Sequence, residues 1–157
     1  SSGLSSSTRA VRLGGRGPSS NYQDTIDFAT ISTTGNYTDF GNITTAAADG
    51  GACSNSTRGI YFSGYSGSSS NVIEYITIAT TGNAIDFGDL TLARAYSSGV
   101  SSPTRAVNMG GFVIPATATN IIDYVEIATI GNAVDFGDAD SGTIQSAGGV
   151  SNGHGGL

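Results

Sequence analysis

Lysine and tryptophan are absent from this chain, cysteine and histidine occur once each, and only 11% of its 157 residues are charged. The net charge is −6, and all six basic residues are arginine. Nucleic-acid binding needs Lys or Arg to neutralise phosphates, so this balance excludes a nucleic-acid partner. A single cysteine, Cys53, can form neither an internal disulfide nor a cysteine-rich zinc site. No apolar run approaches the roughly 20 residues that span a bilayer, so membrane insertion is not expected.

Glycine, serine and threonine are abundant, and glycine alone accounts for 24 residues. β-Branched and aromatic residues are also frequent, whereas disordered chains contain few of either. No segment has the periodicity of an amphipathic helix longer than one turn. The composition predicts a compact all-β protein with many tight turns and without a cofactor.

One unit of about fifty residues occurs three times along the chain. Each copy contains a Thr-Arg pair, a glycine pair (Ser-Gly in the second copy), an Ile-acid-aromatic triplet, a Gly-Asn pair and an Asp-Phe-Gly triplet. The arginines, which are 49 and 47 residues apart, are Arg9, Arg58 and Arg105. The triplets contribute Asp39 with Phe40, Asp86 with Phe87, and Asp135 with Phe136.

These repeats set the expected domain organisation. Repeat 1 covers about 5–53, repeat 2 about 54–100 and repeat 3 about 101–149 of one domain that spans 1–157. Residues 150–157 start a fourth copy, in which His154 takes the place of the arginine.

Within a copy, the pattern favours short strands. In the third copy, 121–129 is rich in β-branched and aromatic residues, the Gly-Asn pair predicts a turn, and 133–136 predicts a returning strand. A strand is also predicted over 104–109, and the Ser/Gly-rich stretch 96–102 is a candidate for another. Four short strands per copy are typical of a propeller blade. The expected fold is all-β, with three four-stranded antiparallel blades plus the first strand of a fourth.

The repeats resemble those of kelch β-propellers. The third copy has 107–111 ending in Gly-Gly, then Ile122-Asp123-Tyr124, then Asn132 and Phe136, in the kelch order and at the kelch period of about 50. The kelch aromatic is usually Trp, whereas each copy here has Phe. With the closing Asn-Gly-His-Gly-Gly, the combination is similar to kelch-like repeats in structural proteins of tailed phages. That resemblance implies a virion-surface or extracellular location, contacts with other virion proteins, and host attachment.

Three blades are fewer than the four to eight of closed propellers. A longer protein, a six-bladed ring of two chains, and stacking of copies into a fibre all remain open, so a homo-oligomer is one expectation. In a swapped arrangement, residues 1–9 would complete a blade begun elsewhere.

The repeated phenylalanine and aspartate admit two interpretations. In the structural one, each phenylalanine fills the gap between blades and each aspartate caps a turn. Calcium binding at Asp-Phe-Gly-Asp is the alternative, but no copy has the dense acidic loop of calcium sites, so no metal site is predicted.

The repeated arginines also admit two interpretations. They could bind an acidic sugar bidentately, or pair with a repeat carboxylate such as Asp39, Asp86 or Asp135 across a blade boundary. Identical placement in every copy favours the structural role.

No catalytic constellation is evident, and the chain is not expected to be an enzyme. His154 is the only histidine, which excludes the copper site of galactose-oxidase-type kelch enzymes. The run at 63–67 lacks the Gly-x-Ser-x-Gly nucleophile elbow.

The segments after the glycine pairs differ most among the copies, at 16–25, 65–72 and 112–121. Variable loops on a repeated scaffold are a usual place for binding, although they could equally be irregular solvated loops. Tyr22 and Tyr65 could stack on sugar faces, with Phe112 as an alternative anchor. Three functions follow. They are attachment to a host surface glycan or protein, a purely structural virion or extracellular filament subunit, and a polysaccharide-acting enzyme, which would need clustered carboxylates.

Overall fold

The fold is all-β, as the composition predicts. The computed structural model describes residues 1–115, 117–140, 144 and 148–149, which form 14 strands and their connections without any helix. Within this part of the chain there is consequently no helix able to cross a membrane. His154, expected to start a fourth copy, lies outside the described residues.

Twelve of the strands form three four-stranded sheets, and the other two form a ribbon. Sheet 1 contains β1 (Ser2–Ser5), β2 (Arg9–Arg16), β3 (Tyr22–Thr30) and β4 (Thr38–Asn42). Sheet 2 contains β5 (Gly51–Ser54), β6 (Arg58–Phe62), β7 (Ser70–Thr77) and β8 (Ile85–Arg94). Sheet 3 contains β9 (Ser98–Ser101), β10 (Arg105–Met109), β13 (Ile121–Glu126) and β14 (Val134–Asp138). The ribbon pairs β11 (Phe112–Val113) with β12 (Thr117–Ala118).

In every sheet, each strand pairs antiparallel with the next strand of that sheet along the chain. The first strand of each sheet lies just before the arginine strand, so sheets begin about one strand earlier than the sequence repeats. The expectation that 1–9 completes a blade elsewhere is wrong, because β1 pairs with β2 of its own sheet. The first strands of successive sheets lie side by side, β1 next to β5 and β5 next to β9.

Adjacent sheets are joined where the Asp-Phe-Gly edge of one meets the Gly-Asn turn of the next. The amide of Gly82 donates to the carbonyl of Phe40 at 2.8 Å, and that of Gly131 donates to Phe87 at 2.9 Å. Glycine is required on the accepting edge, because a Cβ on Gly41 or Gly88 would collide with the carbonyl oxygen of the turn glycine opposite. The repeated Gly-Asn and Phe-Gly signatures therefore encode the contact between sheets.

The repeated arginine reinforces this contact. Arg9 lies over the ring of Phe28 at 4.4 Å, and its Nη1 donates at 2.7 Å to the carbonyl of Ile78, which directly follows β7 of sheet 2. Arg58 lies over Tyr75 at 4.4 Å and donates at 2.6 Å to the carbonyl of Ile127, which directly follows β13 of sheet 3. Each arginine thus combines a cation–π contact within its sheet with a charged hydrogen bond to the next one.

Arg105 occupies the third copy of this position. It lies over Tyr124 at 4.8 Å, and its Nε donates to Glu126 of the same sheet at 2.7 Å. The contacts of Arg9 and Arg58 fit the structural role favoured by the sequence. The expected carboxylate partners were wrong, because backbone carbonyls and Glu126 take that place. The three aspartates concerned, Asp39, Asp86 and Asp135, are exposed.

The apolar core lies between the sheets, in two clusters. One joins sheets 1 and 2 around Phe40, and the other joins sheets 2 and 3 around Phe87. Phe40 and Phe87 are 3% and 1% exposed, and each lies in the cluster between two sheets. Phe136 is 55% exposed, because no described residue covers the outer face of sheet 3.

Replacement of Phe87 by Ala should lower the free energy of unfolding by about 3–5 kcal/mol, the cost of emptying such a core site. Phe136→Ala is the matched control, because both rings make the same edge-to-face contact with a tyrosine of their own sheet, at 5.9 Å. The control should lose less than about 1 kcal/mol in urea denaturation. Equal losses would show that the neighbouring sheet does not stabilise the ring.

Candidate functional site

The residue after each glycine pair occupies one structural position with a different side chain in each sheet: Arg16, Tyr65 or Phe112. In the second and third copies its backbone pairs with the segment that leads into the first strand of its own sheet. Tyr65 exchanges hydrogen bonds with Ala48, and Phe112 does so with Ala95. A constant backbone therefore presents variable side chains at the end of the sheets where these loops lie.

The residue after each of these alanines has a left-handed backbone. Asp49 has φ 60° and Tyr96 has φ 58°, a conformation that L side chains rarely adopt. Asp49 faces Arg16 as an ion pair at 3.6 Å, whereas Tyr96 stacks on Tyr65 with ring centroids 5.9 Å apart. Such strained, non-glycine conformations cluster at functional sites.

Tyr22 connects the two pairs. Its ring meets Tyr65 edge-to-face at 5.6 Å, and the Arg16 guanidinium lies 5.0 Å from its centroid. Arg16, Tyr22, Tyr65 and Tyr96 thus form one continuous surface feature, which we call the tyrosine ridge. It runs from sheet 1 across sheet 2, and its side chains are all exposed or half-buried.

The ridge contains two of the three loop residues predicted from sequence. Tyr22 and Tyr65, more than forty positions apart, are brought into contact. Phe112 is half-buried and pairs with Ala118 in the ribbon, and no ring contact joins it to the ridge among the described residues. Tyr96 was not predicted from the sequence. It lies 47 residues after Asp49, at the same repeat position, so the change there from a carboxylate to an aromatic residue was the signal that could have found it.

The chemistry of the ridge suits a flat, hydroxyl-rich ligand. Tyrosine rings offer apolar faces with a polar tip, and stacking on such faces is compatible with sugar rings. Arg16 adds a guanidinium that can bind a carboxylate or sulfate on the ligand bidentately. The partly exposed Asp49 carboxylate beside it adds a hydrogen-bond acceptor.

The single thiol does not contribute to this surface. Cys53 is buried in the core between sheets 2 and 3, and burial raises the pKa of its thiol to about 12. A thiol with so high a pKa is neither a nucleophile nor a metal ligand at neutral pH.

The turn-capping role expected for the repeated aspartate occurs in the third copy. Asp135 Oδ1 accepts the amide of Gly137 at 3.1 Å.

Comparisons with known proteins add no family to this picture. No protein-family model matches the chain, and no curated protein matches it. The resemblance to kelch-like phage repeats stays a prediction.

Replacing Tyr96 by Gly should change the free energy of unfolding by no more than about 1 kcal/mol. The left-handed conformation costs a non-glycine residue roughly 1–2 kcal/mol, which offsets the roughly 0.5–1.5 kcal/mol of an aromatic pair. Ser20→Gly is the control for strain alone, because Ser20 is exposed with φ 61° and should gain stability. If Tyr96→Gly lowers the free energy of unfolding by more than about 2 kcal/mol, measured by thermal unfolding, the Tyr96 ring stabilises the fold and is not kept for a binding surface.

Proposed function

We infer that the three sheets are blades of a kelch-like β-propeller, in a protein that presents a binding surface on a phage virion or another extracellular structure. The meander order of each sheet, the adjacent first strands and the repeated contact between sheets support the blade assignment. The resemblance of the repeats supports the virion location. No catalytic role is part of this proposal.

The proposed activity is attachment to a glycan of the host surface, with the tyrosine ridge as the contact. The observation that carries it is the joining of Arg16, Tyr22, Tyr65 and Tyr96 into one aromatic surface at loops that vary between copies. Residues that serve packing, such as Arg9 and Arg58, keep their identity in every copy, whereas those of the ridge do not.

The tagged chain should bind members of an array of bacterial surface glycans, and Tyr65→Ala should weaken that binding at least tenfold. Tyr65 is the central ring, which contacts both Tyr22 and Tyr96, so its loss breaks the ridge in two. Stacking of one aromatic ring is worth about 0.5–1.5 kcal/mol, and truncation also disorders its neighbours.

The control is Ile85→Ala, because Ile85 is 55% exposed and is not one of the ridge residues. It should bind as the parent chain does. Equal binding by parent and Tyr65→Ala, or loss of binding only in Ile85→Ala, would contradict attachment through the ridge.

A second candidate function, that of a structural subunit, is favoured by exposed apolar residues on the two outermost sheets, sheet 1 and sheet 3. Sheet 3 leaves Phe136 exposed, and sheet 1 leaves Ile31 exposed at 55%, whereas its equivalents Ile78 and Ile127 are each 1% exposed. We propose that sheet 1 of a second copy covers Phe136 in the way that sheets 2 and 3 cover Phe40 and Phe87. Tyr37 lies at the position of the buried Ala84 and is bulkier than that alanine.

Light scattering should then show association that rises with protein concentration and that Phe136→Asp abolishes. Replacing Tyr37 by Ala should strengthen it, because Ala is the residue buried at the equivalent positions of sheets 2 and 3. A discrete pair of chains would fit a closed ring, and continued growth would fit a filament. A parent chain that stays monomeric, or Phe136→Asp that associates unchanged, would contradict this contact.

A further inference from the structure

Each sheet carries one acidic residue at the same place on its third strand: Asp27, Glu74 or Asp123. In sheet 1 this carboxylate binds the arginine directly across the strand pair. Arg12 Nε and Nη2 donate to the two oxygens of Asp27 at 2.9 and 2.6 Å. The first acid is therefore neutralised within its own sheet.

In sheet 3 the arginine comes from the neighbouring sheet, at the end of β8. Arg94 and Asp123 are both fully buried, and Nη1 donates to Oδ2 at 2.9 Å. The hydroxyl and amide of Thr91 donate to the same carboxylate, at 2.6 and 3.3 Å. The second acid is thus neutralised and hydrogen-bonded in a water-excluded site.

Glu74 of sheet 2 has an arginine at neither of these two positions. The residue opposite Glu74 across the strand pair is Tyr61, where sheet 1 has Arg12. The residue that corresponds to Arg94, 47 positions earlier in the connecting segment, is Ala47. Glu74 is nonetheless only 3% exposed, and the one hydrogen bond that its carboxylate receives from described residues is from the amide of Thr44, at 2.8 Å.

A cavity of about 40 Å³ lies where the missing guanidinium would be. Ala47, Tyr61 and Glu74 line it, and exposed residues at its rim connect it to solvent: Thr44, Thr45 and Val72. The phenol oxygen of Tyr61 is buried and has no hydrogen-bond partner among the described residues. Burial, with a smaller contribution from the nearby Glu74 charge, raises the pKa of Tyr61, so this phenol keeps its proton.

A buried carboxylate is unfavourable without a positive partner, and the other two sheets each supply one. We propose that the cavity at Glu74 binds the guanidinium or ammonium head of a ligand, in the place that Arg94 fills in sheet 3. Glu74 neutralises its charge, and the Tyr61 phenol oxygen and the hydroxyl of Ser63 accept N–H groups. The ligand is a small amine or a basic side chain of a partner.

The geometry favours a cation with N–H donors. The equivalent site in sheet 3 holds one already, with the guanidinium bound to Asp123 and to backbone carbonyls of Leu92 and Asn108. The volume of about 40 Å³ near Glu74 is roughly three times the ~10–15 Å³ that one water molecule needs, which fits a small cationic head and not a whole side chain.

Methylguanidinium and methylammonium chloride are the probes, titrated into the full chain by calorimetry and thermal unfolding. At about ten times its Kd, a probe should raise the Tm by roughly 3–6 °C. Glu74→Gln, which keeps the shape and removes the charge, should weaken binding at least tenfold. Asp86→Asn is the matched control for an exposed carboxylate and should bind as the parent does.

The second variant, Ala47→Arg, places a guanidinium of the chain itself in the cavity beside Glu74. It should raise the Tm without any probe and abolish probe binding, because the cavity is then filled. If this variant does not fold, Glu74→Gln decides. No probe binding to the parent chain, or binding that Glu74→Gln retains, overturns the proposal.

One further arm tests a metal ion as the occupant. If sodium, potassium or calcium chloride raises the Tm of the parent but not of Glu74→Gln, while the organic cations do not, the site holds a metal ion and the proposal is wrong.

Discussion

The contact between successive sheets is the constraint on which the rest of the structure depends. The Phe-Gly pair on the edge of one sheet lies against the Gly-Asn turn of the next. The glycine amide of that turn donates to the phenylalanine carbonyl, and the phenylalanine ring is buried between the two sheets. No single sheet could bury its apolar face alone, as is general for repeat architectures. The geometry of the tyrosine ridge depends on this contact. Tyr22 belongs to sheet 1 and Tyr65 follows the second strand of sheet 2, so their rings meet only if the two sheets are held in register.

Comparison of the three copies distinguishes residues that pack the sheets together from residues that line the proposed binding sites. Positions that serve packing keep both identity and environment, as Arg9 and Arg58 show by stacking on their own sheet and donating to the next. Where the copies differ at one structural position, the difference changes what the surface or cavity can bind. The pair Asp49 and Tyr96 illustrates this at the ridge, and Ala47 does so beside Glu74, because it leaves a carboxylate without the partner that Arg94 provides to Asp123.

Features that local sequence patterns encode could be predicted from the sequence. Strands, turns and burial of Phe40 and Phe87 follow from β-propensity, glycine pairs and repeat order. The arginine partners could not be predicted, because a carbonyl acceptor has no sequence signature. Two further features needed the three-dimensional structure: Tyr96 reaches the ridge through a left-handed backbone in a connecting segment, and the unpaired state of Glu74 depends on how the sheets pack.

Amide hydrogen exchange of three equivalent glycines, followed by NMR on the monomeric chain, tests the contact between sheets most directly. Gly82 and Gly131 donate to carbonyls of the preceding sheet, whereas Gly35 holds the same position in sheet 1, where no backbone carbonyl of the described residues accepts its amide. The amides of Gly82 and Gly131 should exchange at least about a hundredfold more slowly than that of Gly35, since they open only when the sheets separate. Equal exchange rates at all three glycines would contradict the account.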